Sequence, residues 1–118
     1  MLAMFEQLEL FPSVTDIEVR FTKKLLESYK KMRLLVNGTE NTTPKYLEAS
    51  RLIGQVEQAV GLILDDEAKR IVEFRFLKGN THKATVLFFS GMMSDSTVDR
   101  KLNKGIESVA ETLKFWHE

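Results

Sequence analysis

The chain has no cysteine among its 118 residues. That excludes a disulfide framework and thiol chemistry, and it fits a reducing compartment. No apolar run approaches the length that spans a bilayer. The N-terminus lacks a basic stretch followed by a hydrophobic core, so no signal peptide is expected. The sequence therefore reads as cytoplasmic, with no membrane partner. An excess of either charge is also missing: 17 Lys and Arg balance 17 Asp and Glu. Neutrality counts against a nucleic-acid binder, because such domains are usually basic. Signatures of catalysis are absent as well. His82 and His117 stand far apart, with no cysteine or helical carboxylate spacing that would build a metal site. Asp65-Asp66-Glu67 lacks the glycine-containing ligand loop that calcium needs. Lys78-Gly79 has the wrong order for a phosphate loop, and Ser90-Gly91 has no identifiable partner base. The expectation is a protein that is not an enzyme and uses neither metal nor cofactor.

What is present is an uneven distribution of charge. Residues 1–18 carry Glu6, Glu9, Asp16 and Glu18 and no cation. Residues 20–33 carry Arg20, Lys23, Lys24, Lys30, Lys31 and Arg33 against Glu27 alone. A second basic cluster is Lys69, Arg70, Arg75, Lys78 and Lys83, interrupted by Glu73; a third is Arg100, Lys101 and Lys104. Local charge, rather than the total, decides whether a surface attracts phosphate.

Helical periodicity dominates the chain. Residues 1–10 read as a short amphipathic turn or helix ended by Phe11-Pro12. A long helix is expected over 14–36, capped by Ser13 or Thr15. Val14, Ile17, Phe21, Leu25, Met32 and Leu35 form its stripe near heptad spacing, with Ser28 the polar member. That stripe suits either a core face or pairing with a second copy. Residues 37–43 form a polar loop, and the glycosylation-like triplets at Asn37 and Asn41 are read as loop residues. Thr43-Pro44 starts a helix over 44–64 that buries Leu52, Ile53, Val56, Val60 and Ile63. Gly54 and Gly61 inside it suggest close packing or a kink. Asp65-Asp66-Glu67 opens the next helix, which Gly79 ends; Asn80-Thr81 caps a short helix to Phe89. Residues 85–89 are β-prone by composition, the main challenge to an all-α fold.

Ser94 is a good N-cap for a last helix, where Val98, Leu102, Ile106, Val109, Leu113 and Trp116 make one apolar stripe. The opposite side carries Ser96, Thr97, Arg100, Asn103 and Lys104, with Lys101 at its flank. Short hydroxyls and an amide near a helix start, with cations one and two turns on, suit entry into a DNA major groove. Arg100 and Lys104 would meet a guanine edge or phosphates. Ser96, Thr97 and Asn103 are candidate base or phosphate contacts, and Lys101 a phosphate contact. Lys78 and Lys83 flank the turn before the middle helix and are expected on the DNA backbone. Arg75, between Phe74 and Phe76, is expected to pair with a carboxylate inside the bundle.

Residues 65–81, DDEAKRIVEFRFLKGNT, resemble the opening helix of region four of bacterial sigma factors. Residues 96–113, STVDRKLNKGIESVAETL, resemble its recognition helix and tail. With a helical N-terminal half, the chain resembles the ArpU/RinA-type regulators of bacteriophages and prophages. The resemblance implies an all-α fold: an N-terminal helical segment (1–43) for packing or oligomerisation, then a helical domain (44–118) with a sigma-region-four-like helix-turn-helix at 65–117. It implies an activator of late genes in a bacterial host. Its partners would be double-stranded DNA, RNA polymerase and further copies of the chain.

The link from Phe88 to Met93 is longer and more apolar than the usual tight turn of such modules. Together with net neutrality, Asp95 and Asp99, it leaves a second role open: a small helical adaptor or inhibitor, for example of RNA polymerase, without direct DNA binding. Exposure of Phe88, Phe89, Met92 and Met93 as one patch would favour that role.

Overall fold

The computed structural model describes residues 13–38 and 43–117. The expected N-terminal turn or helix and most of the 37–43 loop lie outside them. Every regular element among the described residues is helical, and residues 85–89 are helix rather than strand.

The first helix, α1, spans Asp16–Asn37. Thr15 caps it through a reciprocal box: Thr15 Oγ1 accepts from the Glu18 amide at 3.2 Å, and Glu18 Oε1 accepts from the Thr15 amide at 2.8 Å. The Thr15 amide, then Lys114, hold the Glu18 carboxyl below its ordinary range. The face that α1 buries differs from the heptad stripe. Ile17, Phe21 and Leu35 are 63%, 69% and 64% exposed, while Thr22, Leu26 and Tyr29 are buried. Val19, Leu25, Met32 and Val36 flank that face. The helix is turned so that polar side chains face inward, and each finds a partner. The Thr22 hydroxyl donates to the Glu18 carbonyl at 2.9 Å. The Tyr29 hydroxyl donates to Glu57 at 2.5 Å. Once hydrogen-bonded, these groups no longer oppose burial.

Helix α2 spans Pro44–Gly61, with Thr43 as N-cap and proline at the first helical position. It buries Ile53, Val56, Ala59 and Val60, and Ile63 follows in the next turn. The helix stops at Gly61, before the expected end at Leu64. Neither Gly54 nor Gly61 is a packing site, since a Cβ at either would meet nothing within 4 Å.

Helix α3 spans Asp66–Val72, capped by Asp65, whose Oδ1 accepts from the Ala68 amide at 3.0 Å. It continues as one π-helical turn, Glu73–Leu77, closed by Lys78 N donating to Glu73 O at 2.9 Å. Phe76, four residues after buried Val72, enters the core, while Phe74 packs at the edge of the core and stacks on Phe88. Gly79 then takes φ +75°, a left-handed conformation that costs glycine least. Helix α4 spans His82–Phe89 with Thr81 as N-cap. After a short link, α5 spans Asp95–His117. The Val98 amide donates to the Ser94 carbonyl at 3.0 Å, and the Thr97 amide to Ser94 Oγ at 3.3 Å, as expected of an N-cap.

Helix α5 is the centre of the fold and packs on each of the other four α-helices. Val98, Leu102, Ile106 and Val109 are buried as its stripe requires; Leu113 is half-buried and Trp116 lies near the surface. Leu26 and Tyr29 of α1 join α2, α3 and α5 in one cluster, so a single core draws on both sides of residue 43.

Candidate nucleic-acid interface

The helices α3, α4 and α5 pack as a three-helix unit in which α3 meets α5 broadly and α4 rests on both the π turn and α5. The link between α4 and α5 is itself turn-like: Met92 N and Met93 N both donate to Phe89 O, at 2.9 and 3.1 Å. Phe89 and Met93 pack into the core, which anchors the link at both ends. Phe88 and Met92 stay outside, 60% and 55% exposed, together with Leu87 at 64%. The four apolar residues of the link therefore divide into an inner and an outer pair instead of forming one patch.

The first turns of α5 present most of the expected polar face. Ser96, Arg100, Asn103 and Lys104 are exposed. Among the described residues, no carboxylate lies within ion-pairing distance of Arg100 or Lys104, so both charges are free for a partner. Thr97 is half-buried, and its hydroxyl lies 2.9 Å from Ser94 Oγ, within the cap. Ser96 Oγ is 3.3 Å from the same oxygen. The cap thus ties the hydroxyls together and orients them at the helix start.

Lys101 is placed differently. Its Nζ lies 2.8 Å from Asp65 Oδ2 and 3.0 Å from Glu67 Oε1, and its side chain is 15% exposed. Hydrogen bonds to Asp65 and then Glu67 push the Lys101 pKa up, and Lys101 in turn holds the Asp65 carboxyl low. This cation fastens the end of α5 that carries the polar face to the start of α3. The sequence holds no local signal for the pairing, because the partners lie 36 residues apart.

Lys78 and Lys83 are exposed and their ammonium groups are unpaired among the described residues. The Lys78 carbonyl accepts from Lys30 Nζ of α1 at 3.2 Å, which brings one member of the α1 basic run against the turn before α4. Arg75 pairs with a carboxylate as expected, but at the surface rather than inside the bundle: its partner is exposed Glu27 of α1, at 3.8 Å, and Arg75 also donates to the Asn80 carbonyl at 2.9 Å and lies over the Phe76 ring. Asp99 is drawn aside by His82, 3.0 Å away. Near them Lys23, Arg75, His82, Asp99 and Asn103 line a cleft of about 300 Å³. Periodicity alone gave no sign that Lys23 of α1 would approach Asn103 of α5.

Among the described residues no group of three or more His, Asp or Glu side chains is placed to hold a metal ion. Among the same residues no helix is long and apolar enough to cross a membrane. No protein-family model, curated protein or solved structure matches the chain.

Proposed function

We propose that the chain is a DNA-binding transcriptional regulator that uses the first three turns of α5 as its reading face. The observation that carries this reading is the pair Arg100 and Lys104. They lie about one turn apart on an exposed face, beside Ser96 and Asn103, with no carboxylate neutralising them among the described residues. An α-helix fits the major groove, where a guanidinium can bond a guanine edge in two places and an ammonium can meet phosphate. Lys83 and Lys78, on the elements before α5, would hold the DNA backbone, as the helix preceding a recognition helix does. Lys101 would act indirectly, by fixing the angle at which α5 leaves α3. The role as an activator of phage late genes rests on the resemblance to ArpU/RinA-type regulators, and RNA polymerase would then be the protein partner.

The test is binding of the purified protein to the DNA upstream of its own gene and to late promoters, titrated across salt. Each neutralised phosphate releases counterions, so the log–log salt slope reports how many phosphates the protein neutralises. Arg100→Ala and Lys104→Ala should weaken binding. A variant that no longer neutralises one phosphate should show a slope flatter by about one unit. Lys101→Ala should leave the slope unchanged. Binding no tighter than to random DNA at low salt, by a folded sample, would remove the direct-reading model. One observation favours the adaptor role in that event: the exposed Leu87, Phe88 and Met92 offer a protein an apolar surface.

A further inference from the structure

Phe74, Phe88 and Phe89 form a ring cluster at the meeting of the π turn and α4. Phe74 and Phe88 stack with centroids 4.3 Å apart, and Phe89 meets Phe88 edge-on at 5.0 Å. Phe89 is buried, so the cluster is rooted in the core, whereas Phe88 is more than half exposed. A groove of about 360 Å³ opens here, with Phe74, Leu77 and Phe88 on its apolar wall and Arg70, Glu73 and Lys78 along its rim. It shares no lining residue with the cleft beside Asn103. The π turn separates them: Arg75 and Phe76 line the cleft, while Phe74 and Leu77 line the groove.

The rim selects the occupant. Neither Arg70 nor Lys78 has an ion-pair partner among the described residues, and Glu73 is the single acid at the groove. An apolar wall between two unpaired cations complements an apolar side chain flanked by carboxylates. Duplex DNA would use the cations but leave the aromatic wall wet, because its bases are already stacked on one another, and a neutral apolar peptide would leave the cations without partners. Exposed Met92 and Leu87 lie near Phe88 in the chain, and a methionine side chain adapts readily to the shape set against it.

We infer that this groove is a docking site for an acidic amphipathic peptide segment of a partner protein, seated with a large apolar side chain against Phe74 and Phe88 and carboxylates toward Arg70 and Lys78. The groove lies apart from the α5 face and does not depend on the DNA reading; Lys78, proposed above as a backbone contact, is the one residue the two share, which is why Phe88→Ala rather than the charge variant is used to separate them. Recognition would follow the helix-in-groove mode, in which apolar anchors give affinity and flanking charge gives selectivity.

The experiment uses the full chain, isotopically labelled, and two fluorescent twelve-residue peptides. Both carry leucine and phenylalanine at helical spacing; one has glutamate at the remaining positions and the other lysine. The expected result is amide shifts at residues 70–78 and 87–92 with the glutamate peptide only. Its affinity should fall at least tenfold in Phe88→Ala. It should fall similarly in the double variant Arg70→Glu, Lys78→Glu, which leaves the ring cluster intact and so guards against simple unfolding. Equal binding of both peptides, shifts elsewhere on the surface, or no shift at millimolar glutamate peptide would overturn the proposal. Salt-sensitive DNA binding, measured on Phe88→Ala, reports on the α5 face separately: its retention alongside abolished peptide binding supports two sites, and joint loss in this folded variant counts against them.

Discussion

Gly105 of α5 lies directly against Val72 of α3. A Cβ built on Gly105 would overlap Val72 Cγ2 and stand 3.4 Å from the Ala68 carbonyl and 3.7 Å from Ile63 Cδ1. Glycine inside a helix ordinarily costs about 1 kcal/mol relative to alanine. Here it is what lets the backbone of α5 approach α3. Val72 is fully buried and β-branched, so it has little freedom to move aside. Gly105→Ala should therefore lower stability by about 1–3 kcal/mol despite its better helix propensity. Adding Val72→Ala should recover part of that loss relative to the sum of the single changes. Urea unfolding of the single and double variants checks both, and a stabilised Gly105→Ala protein would show that the helices are not closely apposed at this point.

The Lys101 pair predicts a specific acid response. The folded pKa of Asp65 is depressed, principally by the hydrogen bond from Lys101. The contribution of the pair is then fully present above the unfolded value of about 3.9 and is lost as pH falls through the lower folded value. Lys101→Met should be less stable than wild type at neutral pH, and the gap should narrow in acid. Denaturation midpoints across that range give the comparison; a gap independent of pH would assign the loss to packing instead.

Tyr29 makes the complementary alkaline prediction. Burial, and then the hydrogen bond to Glu57, push its pKa up to about 12. Its folded value lies above the unfolded value of about 10, so its contribution is complete below the latter and disappears as pH rises through the former. Absorbance titration should show a tyrosinate component near 12 that Tyr29→Phe removes. A component at the unfolded value, absent from the same variant, would mean the hydroxyl is open to water.

Helix α1 offers a test of which face is inside. Phe21→Gln, at an exposed position, should change stability by no more than about 0.5 kcal/mol. Leu26→Ala, at a fully buried one, should cost about 2–5 kcal/mol. Comparable losses from both would return the heptad stripe to the core.

Local signals were legible in the sequence. Thr15, Thr43, Asp65, Thr81 and Ser94 all cap helices, because an N-cap depends on a side chain and an amide three residues later. The inner faces of α2 and α5 were largely readable, since most of their apolar residues fall on one side of the helix; Leu52, half-buried, and Trp116, near the surface, are the members that stay outside the core. The α1 face was not. Thr22 and Tyr29 look polar in sequence, and one is satisfied by the Glu18 carbonyl one turn back in its own helix while the other reaches a residue 28 positions away. The same limit hid the partners of Lys101 and the role of Gly105, which depend on which helices cross. The candidate interface was legible as a face, with Arg100, Lys104, Ser96 and Asn103 exposed together. That Lys101 is tied down became visible only with α3 beside it.

The π turn at Glu73–Leu77 works as a phase shifter. One residue beyond the α-helical repeat carries the chain about 100° further around the helix axis. Phe76, one helical repeat after buried Val72, stays on the core side across the turn, while Phe74, two residues away and so on the other side, stacks on Phe88. Substitutions within the turn leave that phase in place, whereas removing a single residue would re-aim the aromatic groove relative to α5. The angle between the two surfaces is thereby stored as a count of residues rather than as the identity of any one of them.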